Sequence, residues 1–133
     1  MVEKFEHHLP IITTVIIVAL GGALGSVGRY LLQVFFARQT TLTFPLGTLL
    51  VNLSGCFFIG VFFALSMKYT WMTMEWRLFL MTGICGGYTT FSSFSLESIN
   101  LLRQGHYTYF SLYILASVVF GLLATVAGFA IIR

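Results

Sequence analysis

Apolar residues run almost unbroken through four stretches of this chain, from about Ile11 to Phe36, Leu46 to Met67, Trp76 to Leu102 and Tyr107 to Ile132. A bilayer core about 30 Å thick is crossed by roughly 20 residues of α-helix. Each stretch is long enough. The connectors Ala37–Pro45, Lys68–Glu75 and Arg103–His106 are short and polar, and none has room for a second domain. The pattern predicts one all-α domain over residues 1–133, with four transmembrane helices behind a tail of about ten residues. Four crossings put both ends of the chain on one side.

The third stretch departs from a plain membrane helix. Between Thr82 and Ser95 it carries Gly83, Gly86 and Gly87 together with Thr82, Thr89, Thr90, Ser92, Ser93 and Ser95. An interior glycine costs about 1 kcal/mol against alanine in a helix, and Ser and Thr compete for backbone hydrogen bonds. A break near Gly86–Thr90 is expected. At membrane depth a broken helix survives only inside protein or beside a watery cavity. Its freed carbonyls can face a cation and its freed N–H groups an anion.

Composition agrees with the membrane reading. Hydrophobic residues make up 58% and charged ones 8%, mean hydropathy is +0.94, and the net charge is +3. A soluble domain carries about 25% charged residues, so lipid must cover most of this one. The carboxylates Glu3, Glu6, Glu75 and Glu97 are scattered, which leaves no acid–base pair and argues against an enzyme. No basic run follows a nucleic-acid backbone. Cys56 and Cys85 read as buried free thiols, and His7 and His8 as part of an exposed tail. The first apolar run is too long for a signal-peptide core and lacks a basic flank.

Orientation follows from the basic residues. Lys4, Lys68, Arg77 and Arg133 fall on one side, and Arg29, Arg38 and Arg103 on the other. Four against three is almost no bias, which points to insertion both ways up and an antiparallel homodimer. Small residues at Gly21, Gly25, Gly28, Gly55, Gly60, Gly121 and Gly128 supply surfaces where helices approach closely.

Polar side chains inside hydrocarbon are the candidate chemistry. Thr48 and Asn52 share a face of the second span, and an Asn amide offers two N–H donors to an anion or bonds a neighbouring helix. Phe91 and Phe94 lie one turn apart, and an aromatic ring has a positive edge that can face an anion. Tyr113 and Ser117 begin a thin polar stripe on the fourth span that continues to Thr125. Arg29 either gathers anions or snorkels to the headgroups. Glu97 carries a proton, pairs with a cation or anchors a helix end.

Taken together, these residues resemble the Fluc/CrcB family of small fluoride channels. The resemblance rests on Gly28-Arg29, on the run from Pro45 through Gly47 and Thr48 to Asn52, and above all on the string Gly83 to Glu97. It implies dual-topology antiparallel homodimers in the inner (plasma) membrane, with two fluoride pores built from both subunits. By position, Asn52 is the pore amide and Phe91 and Phe94 are the ring edges. Ser93, Thr48, Tyr113 and Ser117 line the polar path, and Arg29 stands in the vestibule. Gly86 and Thr89 give backbone carbonyls to a central structural sodium ion, while Glu97 matches an acidic position just past the phenylalanines. Ser93 stands where many members carry Thr, and Gly121 where some carry Ser. The implied activity is passive export of cytoplasmic fluoride. The alternative is a small four-helix proton-coupled multidrug exporter, which needs a mid-membrane carboxylate; the first span has none.

Overall fold

The computed structural model describes residues 9–133. The expected tail, with Lys4, His7 and His8, lies outside the described residues except for its last two positions. Among the described residues the regular structure is entirely helical. Helix α1 spans Ile11–Gln39, α2 Leu46–Lys68 and α6 Tyr107–Ile132. These three are long and apolar enough to cross a membrane. The chain is an all-α, multi-pass membrane protein.

The limits of the helices follow from local chemistry. Pro10 precedes α1 and Pro45 precedes α2, positions where a missing N–H does no harm. Helix α1 runs three residues beyond the expected end, because Ala37, Arg38 and Gln39 all favour helix, and it stops at Thr40 in extended conformation. The fourth stretch begins and ends as its hydropathy predicts.

The third stretch is built from four pieces. A short α3 (Met74–Arg77) leads into a π-helical stretch, Leu78–Cys85, then α4 (Gly86–Tyr88), and after a break α5 (Phe91–Arg103). The break sits at Thr89 and Thr90, with φ/ψ of −80°/155° and −148°/114°. It thus falls at the end of the expected window, and the glycines themselves are helical. Two β-branched residues, which favour extended backbone, turn the chain. The π-helical winding was not foreseen. Helix α5 ends in a Schellman turn, with Gly105 at φ 79° and the N–H groups of His106 and Gly105 on the carbonyls of Leu101 and Leu102.

The glycines instead allow backbones to touch. Helix α1 packs along the π-helical stretch and α4, and α2 packs along α6. A Cβ on Gly25 would lie 2.2 Å from the Ile84 carbonyl oxygen, and one on Gly87 would lie 2.5 Å from that of Gly22. In the other pair, a Cβ on Gly60 would lie 2.2 Å from the Thr125 oxygen and one on Gly128 2.0 Å from the Phe57 oxygen. These contacts join helices of one chain.

Burial is the inverse of a soluble domain. Only 11% of the apolar window of α1 and of α6 is buried, against 33% for α2. Helix α2 is therefore the central post. The largest fully buried side chain is Tyr113, which packs in one cluster with Leu49 and Leu101 beside Phe44 and Phe94.

Gly25→Ala should destabilise the detergent-solubilised protein by about 1–3 kcal/mol, because its Cβ meets backbone and not a movable side chain. Gly28→Ala, whose Cβ would sit 4.0 Å from Tyr88 Cδ2, should be neutral or slightly stabilising. Thermal unfolding of the two variants side by side checks the contrast; equal melting points would refute the close approach.

Candidate functional site

The chain leaves the helical ladder at Thr89–Thr90, so every peptide group there needs another partner. The side chain of Asn52, on α2, meets this need at Thr90. Its Oδ1 accepts from the Thr90 N–H at 2.7 Å, and its Nδ2 donates to the Thr90 carbonyl at 3.0 Å. One amide thus replaces both helical bonds of one residue. Thr90 in turn caps α5, its Oγ1 accepting from the Ser93 N–H at 3.1 Å. From α1, Ser26 Oγ and Arg29 Nε donate to the Gly87 carbonyl at 3.4 and 3.1 Å.

These bonds decide which carbonyls are released. In an unbroken helix the Thr90 N–H would bond Gly86 and the Ser93 N–H would bond Thr89. Both donors are instead taken by side chains, Asn52 and Thr90. Gly86 and Thr89 are therefore, with Tyr88, residues whose carbonyls lose their helical donors; those of Gly87 and Thr90 lose theirs but are taken up by Ser26, Arg29 and Asn52, and Cys85 keeps the Thr89 N–H at 3.0 Å and its hydroxyl at 2.9 Å. Such a pair of oxygens suits a hard cation and needs no carboxylate.

The expected site residues divide between two clefts. One, of about 380 Å³, is lined by Asn52, Gly86, Thr89, Phe91, Phe94 and Ser117 together with apolar neighbours. The other, of about 560 Å³, is lined by Thr48, Ser93 and Glu97 with Gln33 and the threonine-rich connector. Helix α5 stands between them, presenting Phe91 and Phe94 to the first and Ser93 and Glu97 to the second. Arg29 and the fully buried Tyr113 line neither cleft.

In the first cleft Phe91 is 79% exposed, and its ring centroid lies 5.6 Å from that of Phe94. Phe94 stacks on Tyr113 at 5.1 Å with 14° between the planes, which fixes its ring. Ser117 Oγ is, among the described residues, the buried side-chain polar atom with no hydrogen-bond partner. A buried orphan hydroxyl is rare and points to an unseen partner.

The second cleft is organised around Glu97. Thr48 Oγ1 donates to Glu97 Oε1 at 2.7 Å, and Tyr113 donates to Oε2 at 2.8 Å. Gln33 Nε2 donates to Thr48 Oγ1 at 3.0 Å. Four helices meet at one carboxylate. Glu97 is a hydrogen-bonded acceptor held from both sides.

Sequence reasoning did not single out Gln33, Ser26 or Thr90 as participants. The clamp on Thr90 was legible only as the general capacity of Asn52 to bond a neighbouring helix. Gln33 carried no signal of its own, since a lone glutamine near a helix end looks like an interfacial residue.

Comparison with known proteins places the chain. The family model described as CrcB-like protein, Camphor Resistance (CrcB), matches residues 16–129. A protein of Phocaeicola vulgatus named Fluoride-specific ion channel FluC is 47% identical over 115 residues, which cover 86% of this chain and 94% of that protein. FluC of Leptospira interrogans is 43% identical over 120 residues, 90% of this chain and 94% of the relative. FluC 1 of Nitrobacter hamburgensis is 45% identical over 121 residues, covering 91% and 96%. These relatives are named as channels and not as enzymes. The broken third stretch, its Asn52 clamp and the phenylalanine pair thus belong to a member of the CrcB family.

Proposed function

We propose that this chain is a fluoride-selective channel through which cytoplasmic fluoride leaves the cell passively. The observation that carries the reading is the first cleft. Asn52 keeps one N–H beyond its bond to Thr90, Ser117 holds an orphan hydroxyl, and Phe91 lies open beside Phe94. A small, strongly hydrated anion needs donors to replace its water, and ring edges add positive potential without a charge that would trap it. Ser93, Thr48 and Tyr113 extend the polar path toward the second cleft, and Arg29, on the Gly87 carbonyl, contributes positive potential at the vestibule.

One copy of the chain leaves Phe91 uncovered and encloses no pore. In this reading the third stretch is a fourth, broken crossing of a single domain. Two copies assemble antiparallel, each pore using residues of both, in the inner membrane. The balance of four basic residues against three supports insertion both ways up. An inside-negative potential, worth about 2.3 kcal/mol per charge per 100 mV, drives the anion outward. Fluoride that enters as neutral HF and dissociates inside is thereby removed.

The carbonyls of Gly86 and Thr89 fit a structural sodium ion, because the bonds made by Asn52 and Thr90 deprive them of helical donors. A bound sodium would supply the positive charge that such oxygens need in hydrocarbon. Asn52 and Thr90 hold the backbone in the shape that presents them.

Purified protein in fluoride-loaded liposomes should release fluoride rapidly once valinomycin clamps the potential, and should retain chloride. Equal chloride release, or an absolute requirement for a proton gradient, would sink the reading. For the assembly, single cysteines placed near the N-terminus should react with a membrane-impermeant label from both faces in cells; labelling from one face alone refutes dual insertion. Replacing sodium by a bulky organic cation should lower flux or dimer stability without altering fluoride-to-chloride preference. Unchanged flux and dimer after full exchange would remove the sodium assignment.

A further inference from the structure

Hydrogen bonds around Glu97 have a direction. A carboxylate without a proton only accepts, and the bonds of Thr48 and Tyr113 end on its two oxygens at 2.7 and 2.8 Å. Thr48 has one proton, and that proton is committed to Glu97. Its oxygen is then left as an acceptor, and the group that donates to it is the Gln33 amide at 3.0 Å. An amide nitrogen cannot accept. With Nε2 turned toward Thr48, Gln33 offers the hydroxyl no acceptor, and its proton goes to Glu97.

The setting gives this direction a consequence. Gln33, Thr48, Ser93 and Glu97 all line the second cleft. A carboxylate free to turn its oxygens into that cleft would repel an approaching anion, and inside a low-dielectric wall such repulsion is strong. Donors on both oxygens hold the group against α2 and α6 and spread its charge. Thr48 is buried, with 3% of its surface exposed, so water offers little substitute for the Gln33 donor.

We propose that Gln33 is a positioning residue for anion passage, which acts through Thr48 by directing its proton onto Glu97 and so holds the carboxylate's oxygens on α2 and α6 at the wall of the cleft. The proposal rests on the fluoride-channel reading for its flux consequence, and on geometry alone for the bond order around Glu97.

Two variants separate a directional role from a merely structural one. Gln33→Met keeps size but removes the donor, and Gln33→Glu keeps shape but replaces the neutral donor by a charged acceptor, which draws the Thr48 proton away from Glu97. Both should lower fluoride efflux from liposomes about three- to tenfold, the worth of one hydrogen bond. In a Thr48→Val background Gln33→Met should change efflux by less than about twofold, because residues acting through a shared partner are not additive. The infrared carboxylate bands of Glu97, identified by their loss in Glu97→Gln, should shift in Gln33→Met and Gln33→Glu of the purified protein. Full loss of efflux by Gln33→Met in both backgrounds, or unshifted Glu97 bands in either Gln33 variant, would overturn the proposal. If Gln33→Met fails to assemble, Gln33→Glu carries the same test. Should wild-type liposomes release no fluoride, the channel reading fails, and the infrared arm still decides the role of Gln33.

Discussion

A peptide group that leaves the helical ladder inside a membrane has no water to turn to, and each one left unpaired costs several kcal/mol. The bend at Thr89–Thr90 exists because Asn52 satisfies both polar groups of Thr90 from a neighbouring helix. Much else follows. Helix α5 can start afresh at Phe91, which sets the angle at which Phe91 and Phe94 reach their cleft and places Ser93 and Glu97 on the other. The carbonyls of Gly86 and Thr89 are released as a by-product of the same clamp. Asn52 therefore shapes the site through the backbone alone.

Polar contacts converge on α2, the most buried of the long helices. Asn52 bonds the break, Thr48 bonds Glu97, and Ser54 Oγ meets the Tyr88 hydroxyl at 2.7 Å. Thr48 and Asn52, one turn apart, share a side of the post, while Ser54 lies about 200° around the axis from Asn52. Glycine-mediated approaches to α6 at Gly60 and Gly128 bring the backbones together. Close backbone packing and hydrogen bonds divide the task of holding the post, without a large apolar core. In lipid that division is sensible, since apolar burial between helices gains little there.

The outline of this architecture was legible in the sequence because hydrocarbon imposes a blunt rule on length and polarity. Tyr107–Ile132 and the start of α2 at Leu46 could be read directly, and the hydroxyl-rich string announced the break. The break falls within the expected window but at its far end: Gly86 and Gly87 stay helical, Gly87 serving contact with α1 at Gly22, while Thr89 and Thr90 turn. The π-helical stretch was invisible, because an almost wholly apolar run of eight residues shows no period that separates one winding from another. Among the site residues, Asn52 and Glu97 were visible as costly polar groups, but their partners were not. A hydrogen bond between α1 and α2, such as Gln33 to Thr48, depends on rotations about two helix axes that composition does not encode.

The stretch Leu78–Cys85 winds more widely than an α-helix, closing each ring over five residues where an α-helix uses four. Such winding amounts to surplus length stored in the backbone. A deletion of one residue within 78–85 could be absorbed by tightening to ordinary α-helical turns. The residues on its N-terminal side, Trp76 among them, would then keep nearly the same facing relative to the break, whereas the same deletion in an ordinary α-helix would turn them by about 100°. The wide turns thus act as a slip joint, taking up a change of length at the membrane-surface end of the third stretch without disturbing the half from Gly86 onward.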